Sequence, residues 1–237
     1  MIDFSKLSGS VSLRNSALAA AAVMALTASG IATAAGPSRS LAGAGISGKM
    51  TAPGKTANLA VLYDQTDLGD GNAITSQNFE ASFDVYDNQA ADDFTVPAGV
   101  KWQVTKVAVT GQYSIAGPLA SANVTFYKKK SGLPDKVVKT YPGVAVTDSA
   151  GSLVITVPKT TLKPGNYFVS VQGNMDFAVG GQWYWGIRTA QAGSPAAWQN
   201  PGDGFGSGCT TWGVMATCIA QTSPDMLFRL EGKSKPI

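Results

Sequence analysis

Histidine is absent from the 237 residues, and only two cysteines are present. The first absence excludes Ser-His-Asp and Cys-His nucleophile systems, HExxH zinc sites and every histidine-containing zinc cluster. Charge is scarce as well. Charged residues make up 14% of the chain, below the usual quarter, and a net charge of +3 is too small to point to nucleic acid. No apolar run reaches the ~20 residues of a membrane span, and long 3.6-period apolar patterns are missing, which leaves no helix of note. What remains is 44% apolar residues with 27 Gly and 12 Pro. Such a chain is too apolar to be disordered and long enough to bury a sizeable core.

The N-terminus reads as a secretory signal. Lys6 and Arg14 precede an alanine-rich apolar run over 17–26, and small residues follow, ending in Ala32-Thr33-Ala34. A basic start, a short apolar stretch and an A-x-A site predict cleavage after Ala34 or Ala35, so residues 1–35 are expected to be removed. No cysteine stands at the cut to carry a lipid, and nothing predicts membrane insertion of the mature chain. Residues 36–57, rich in Gly, Ala, Ser and Pro, read as a flexible leader, 58–232 as the folded domain and 233–237 as a short tail. Export places Cys209 and Cys218 in an oxidising compartment, where so close a pair predicts one disulfide. A ring of about ten residues stabilises by roughly 3 kcal/mol in the chain-entropy model.

From residue 58 onward Gly and Pro punctuate the chain, between short β-branched and aromatic runs. Strands are predicted over 59–63, 89–96, 102–113, 122–128, 136–139, 152–157, 166–172, 183–189 and 226–231. Leu153, Ile155 and Val157 alternate cleanly, as do Tyr167, Val169 and Val171. Between Val104 and Val107 the apolar phase slips, which predicts a bulge near Lys106. Many short strands without helices predict an all-β fold, a single β-sandwich or jelly roll. The basic run Lys128-Lys129-Lys130 at a strand end reads as a solvated hairpin or edge guard.

Leu162-Lys163-Pro164-Gly165-Asn166-Tyr167 resembles the corner of many extracellular β-sandwich modules, in which a Pro-Gly turn crosses the sandwich. Together with Ala91-Asp92-Asp93-Phe94-x-Val96-Pro97, then Trp102, Gly111 and Tyr113, and Met175-Asp176-Phe177 ahead of Trp183, it extends over most of 59–231. The pattern resembles a secreted bacterial β-sandwich module that occurs alone or appended to exported peptidases and other exported enzymes. The resemblance implies a sandwich fold, an extracellular or periplasmic address, and a structural role for Leu162, Gly165 and Tyr167, whose hydroxyl would bond to nearby backbone.

Charge is unevenly spread. Residues 56–100 contain Asp64, Asp67, Asp70, Glu80, Asp84, Asp87, Asp92 and Asp93 but no Lys or Arg, so all 18 basic residues lie elsewhere. Asp64-x-x-Asp67-x-x-Asp70-Gly71-Asn72 sets hard oxygen donors at loop spacing, and Asp92 and Asp93 open a strand with one carboxylate expected to face inward. Two readings stand: a Ca²⁺ site drawn from these six residues, or a solvated acidic loop with structural acceptors beside it.

Aromatic residues cluster as well. Trp183, Tyr184, Trp185, Trp198, Phe205 and Trp212 fall among Gly, Gln, Asn and Ser. Consecutive rings on a strand face both ways, so some are expected either to form a flat platform for a sugar ring or to pack over the core. Arg188, Gln199 and Asn200 would orient a ligand on such a platform. The expectation is a non-catalytic secreted module that binds carbohydrate or another extracellular polymer without a required cofactor. The alternatives are an adhesive surface protein using the same patch, or a hydrolase built on Glu80 with Asp84 or Asp92 with Asp93.

Overall fold

The computed structural model describes residues 59–237, so the expected signal peptide and leader lie outside the described residues. In chain order the strands begin with β1 (Ala60–Asp64), β2 (Gly69–Thr75), β3 (Gln77–Asn78), β4 (Gln89–Val96), β5 (Val100–Val109) and β6 (Gly111–Tyr113). Then come β7 (Ser121–Lys130), β8 (Leu133–Val144), β9 (Val146–Ser149), β10 (Ser152–Leu162), β11 (Gly165–Asn174) and β12 (Trp183–Arg188). The last four are β13 (Ala197–Gln199), β14 (Gly213–Val214), β15 (Asp225–Met226) and β16 (Phe228–Pro236). Among the described residues, helix is confined to α1 (Phe177–Gly180), α2 (Met215–Ile219) and a 3-10 turn over Ala81–Tyr86.

Alternation builds the layers. In β10 the side chains of Leu153, Ile155 and Val157 are buried while Val154 and Thr156 are exposed, and β5 buries Trp102, Val104, Val107 and Val109 in the same way. These residues line one sheet, ordered β1-β16-β5-β10-β9. The second sheet runs β14-β13-β4-β11-β7-β8, with β3 pairing parallel to β11. A third, ordered β15-β12-β2 with β6 also on β12, adds Trp183 and Trp185 to the core. Apart from β3 all pairings are antiparallel, and the architecture is an all-β sandwich.

Two expectations about strand detail are met at specific residues. The phase slip in β5 is a bulge: Glu231 of β16 faces Lys106 and its neighbour Gly232 faces Val104, so Thr105 is the extra residue. The Pro-Gly turn carries the chain from β10 in the first sheet to β11 in the second, and the Tyr167 hydroxyl donates to the Lys163 carbonyl at 2.8 Å. Two others change. Residues 233–236, read as a tail, continue β16 and pair with β5. The run Lys128–Lys130 does enter the hairpin from β7 to β8, as read, but it guards no edge, because β7 lies between β11 and β8. The Lys128 ammonium sits 3.9 Å above the Tyr167 ring and donates to its hydroxyl, while Lys129 is ion-paired with Asp93.

Removing the Tyr167 hydroxyl deletes one backbone hydrogen bond and keeps the ring. Tyr167→Phe should therefore cost about 1 kcal/mol in urea unfolding. Phe94→Ala, which empties the middle of the core, should cost about 3–5 kcal/mol. A larger loss for Tyr167→Phe than for Phe94→Ala would show that the corner, not the core, dominates stability.

Candidate functional site

Strand β12 sorts the aromatic cluster by face. Trp183 and Trp185 are fully buried on one side, and Tyr184 is half-buried on the other. The two indoles stack at 6.5 Å, and each N–H finds a main-chain acceptor: Trp183 Nε1 donates to Gly151 O and Trp185 Nε1 to Leu227 O, both at 2.8 Å. Trp198, on β13, is likewise buried, with its indole donating to Thr75 O at 3.1 Å. An exposed platform of Trp183, Trp185 and Trp198 is thus corrected. Large rings with a satisfied polar edge stabilise the interior, and these three do so here.

The remaining expected ligand residues are also largely committed to the fold. Arg188 pairs with Asp67 at 2.9 Å and donates to Ala190 O. Asn200 is buried, its amide donating to Val85 O and Asp87 O, and its oxygen accepts from Phe205 N. Gln199 donates to Gln89 at 2.8 Å. Trp212 stands edge-on to Tyr127 at 5.6 Å in a small cluster of its own.

Tyr184 has another situation. Its side of β12 faces a cleft of about 470 Å³, whose walls include Asn72 and Thr75 of β2, Phe205, Gln221 and Thr222, with Trp198 and Cys218 also lining it. Cys209–Cys218 forms the expected disulfide and holds the segment after Phe205 beside β13. Phe205 is edge-on to Trp198 at 6.1 Å, so the core tryptophan fixes a ring at the rim. The Thr75 hydroxyl is buried there without a hydrogen-bond partner, an acceptor and donor left unspent by the fold. Burial raises the Tyr184 phenol above its ordinary pKa, so it stays a neutral donor toward Gln182, at 2.7 Å. Of the expected residues the cleft brings together Tyr184, Trp198 and Asn72. Thr75, Gln221 and Thr222 carried no signal, because only tertiary folding places them there.

The acidic residues do not gather as a loop of ligands. The segment from Gly69 is strand β2, paired with β12 at Gly69 and over Ala73–Thr75, and Asp70, Gly71 and Asn72 form the irregularity between those pairs. Asp64 accepts from the Thr66 amide and hydroxyl, Asp67 holds Arg188, and Asp70 accepts from Asn72 N and the Ser223 hydroxyl. Asp92 and Asp93 point to opposite faces of β4 but both are buried, since the segment around Ser194 covers Asp93. Asp92 accepts from Gln65 Nε2, Met226 N and Asp93 N at 2.6–2.7 Å. Among the described residues no three acidic or thiol side chains are grouped as a metal would require. The proposed acid pairs are similarly used: Glu80 accepts from Phe177 N at 2.8 Å.

Compared with known proteins, the chain matches no family model and no curated protein. Its chemistry therefore has to be read from its own geometry.

Asp225, opposite Arg188 on β12, is fully buried with one oxygen unpartnered, and burial lifts its pKa from 3.8 to about 6. Asp92 shifts the same way, through burial and then the charge of Asp225. For acids raised by folding, the contribution to stability is complete below the ordinary value of 3.8 and is lost as pH rises through about 6. The melting temperature should therefore fall between pH 4 and pH 7 through these groups, and Asp225→Asn should flatten that slope. Equal slopes in both proteins would show that Asp225 does not titrate in this window.

Proposed function

We propose that this protein is an exported, non-catalytic binding module that takes carbohydrate or another extracellular polymer into the cleft beside Tyr184. The observation that carries the reading is the cleft itself. Its volume, about 470 Å³, is of the size used for small ligands or a segment of a polymer, and its walls mix rings with polar groups. Tyr184 and Phe205 offer apolar faces, while Asn72, Thr75, Gln221 and Thr222 offer donors and acceptors. Sugars need this combination, because their C–H faces stack on rings and their hydroxyls need oriented partners. Export is supported by the signal pattern of residues 1–35 and by the disulfide. A binding rather than catalytic role is supported by the lack of histidine and by the commitment of Asp92, Asp93 and Glu80 to structural hydrogen bonds and ion pairs.

Affinity electrophoresis against a panel of neutral polysaccharides tests the reading. The wild type should be retarded by at least one of them. Tyr184→Ala or Phe205→Ala should weaken retention by about tenfold, roughly 1.4 kcal/mol, whereas Trp212→Ala should retain it. No retardation of the wild type, or retardation of Tyr184→Ala and Phe205→Ala equal to that of the wild type, rejects the cleft as the site.

A further inference from the structure

The first sheet has an outer face with an unusual end. Residues 233–236 extend β16 along β5, which sets Lys235 directly opposite Lys101 and Lys233 opposite Gln103. Like charges facing each other across a ladder oppose folding, so a sequence that keeps them needs another reason. Strand β10 contributes a third cation. It takes four steps, from Thr156 to Thr160, while β5 takes two, from Lys106 to Val104, and Lys159 lies within this irregularity. The β5 bulge places Thr105 as an extra residue on the opposite flank. Bulges re-aim side chains, and here two of them border one recess.

That recess has a volume of about 280 Å³ and is lined by Lys159, Lys233, Lys235, Gln103 and Thr105, with Leu59 as its one apolar wall. Among the described residues, no ion pair involves any of these lysines or Lys101; the three ion pairs are Lys129–Asp93, Arg188–Asp67 and Arg229–Glu231. The Thr105 hydroxyl is buried without a hydrogen-bond partner. Uncompensated ammonium groups around an unspent hydroxyl donor describe a receptor for a compact anion with several acceptor oxygens. A carboxylate within the chain would serve the lysines equally well, yet seven of the eight acidic residues of 56–100, all but the exposed Asp84, are hydrogen-bonded or ion-paired elsewhere in the fold.

We propose that this recess is an oxyanion site that takes a phosphate or sulfate group, held by Lys159, Lys233 and Lys235 with Thr105 as hydroxyl donor. The site is separate from the Tyr184 cleft, with which it shares no lining residue. The group arrives either as the free ion or as a substituent on an anionic polymer, and the two sources share this chemistry.

Amide NMR of the full chain, titrated with inorganic phosphate and with sulfate, tests the site against sodium chloride of matched ionic strength. Saturable shifts centred on Thr105, Lys159 and Lys233, absent with chloride, are expected. The double variant Lys159→Gln with Lys233→Gln should weaken binding at least tenfold. Thr105→Val should weaken it several-fold without lowering the melting temperature, an outcome that a merely structural threonine would not give. Tyr184→Ala should leave the titration unchanged, which separates this site from the polymer cleft. Dextran sulfate compared with uncharged dextran then assigns the source: tighter binding of the sulfated polymer than of free sulfate identifies a polymer-borne group, and equal binding identifies the free ion. Shifts spread equally over Lys136 and Lys139, or reproduced by chloride, would mean screening alone and overturn the proposal. So would a double variant that titrates like the wild type.

Discussion

The ring of Phe94 is the point on which both sheets close. It meets Tyr63 of β1, Trp102 of β5, Phe126 of β7, Tyr167 of β11 and Phe228 of β16, with centroids 5.7–6.5 Å apart. Three of those strands belong to the first sheet and two to the second, so a single side chain of β4 sets the spacing between layers. Interiors pack at crystal-like density, and a ring in that position transmits any displacement of one sheet to the other. Two residues earlier, Asp92 points to the same side of β4. It could not stay there without its three donors, because an unpaired buried carboxylate costs several kcal/mol. Gln65, Met226 N and Asp93 N supply them, and in doing so tie the ends of β1 and β15 to β4.

The same demand for satisfied polar atoms explains which aromatic residues are free to act. Trp183, Trp185 and Trp198 are each oriented by an indole N–H bonded to a main-chain carbonyl, so none can turn outward without leaving both a donor and an acceptor unpaired. Tyr184 differs because alternation gives it the opposite face of β12, where it lines the cleft together with Phe205 and the segment that follows it. The disulfide ties that segment to α2, and its Cys218 is part of the cleft wall.

Much of the fold was legible. The bounds of β4 coincide with the expected 89–96, and the alternation in β10 marks its buried face, whereas β11, lying between β4 and β7, is buried on both faces from Tyr167 to Gly173. The bulge at Thr105 was visible as a slip in apolar phase, because a period of two leaves no other way to keep Val104 and Val107 on one side. By contrast, β2 was hidden. Its sequence, Gly-Asp-Gly-Asn-Ala-Ile-Thr, carries turn residues and little β propensity, and it becomes a strand through pairing with β12. That pairing builds one wall of the cleft, while Asp70, in the irregular part of the strand, accepts from Asn72 N and the Ser223 hydroxyl. The site was legible only in part for a related reason. A consecutive Trp-Tyr-Trp declares that its rings face both ways but not which side is buried, a choice made by Phe228 and the other strands beneath.

The acids of 56–100 are engaged mostly at short range, with Asp92 and Asp93 in the interior and the others at or near the surface. The acidic stretch of 56–100 contributes its carboxylates to capping, to buried hydrogen bonds, and to ion pairs with Arg188 and Lys129. Because these acids are consumed inside or at short range, few remain to neutralise lysines on distant strands. The end of the outer face formed by β5, β10 and β16 is left with ammonium groups that the fold itself cannot balance. Had the acids been distributed evenly, Lys101 and Lys235 would more naturally have faced opposite charges across the ladder. The positive recess therefore follows from the placement of Asp92 and Asp93 in the core strand: what stabilises the junction of the sheets also leaves the far face seeking an anion.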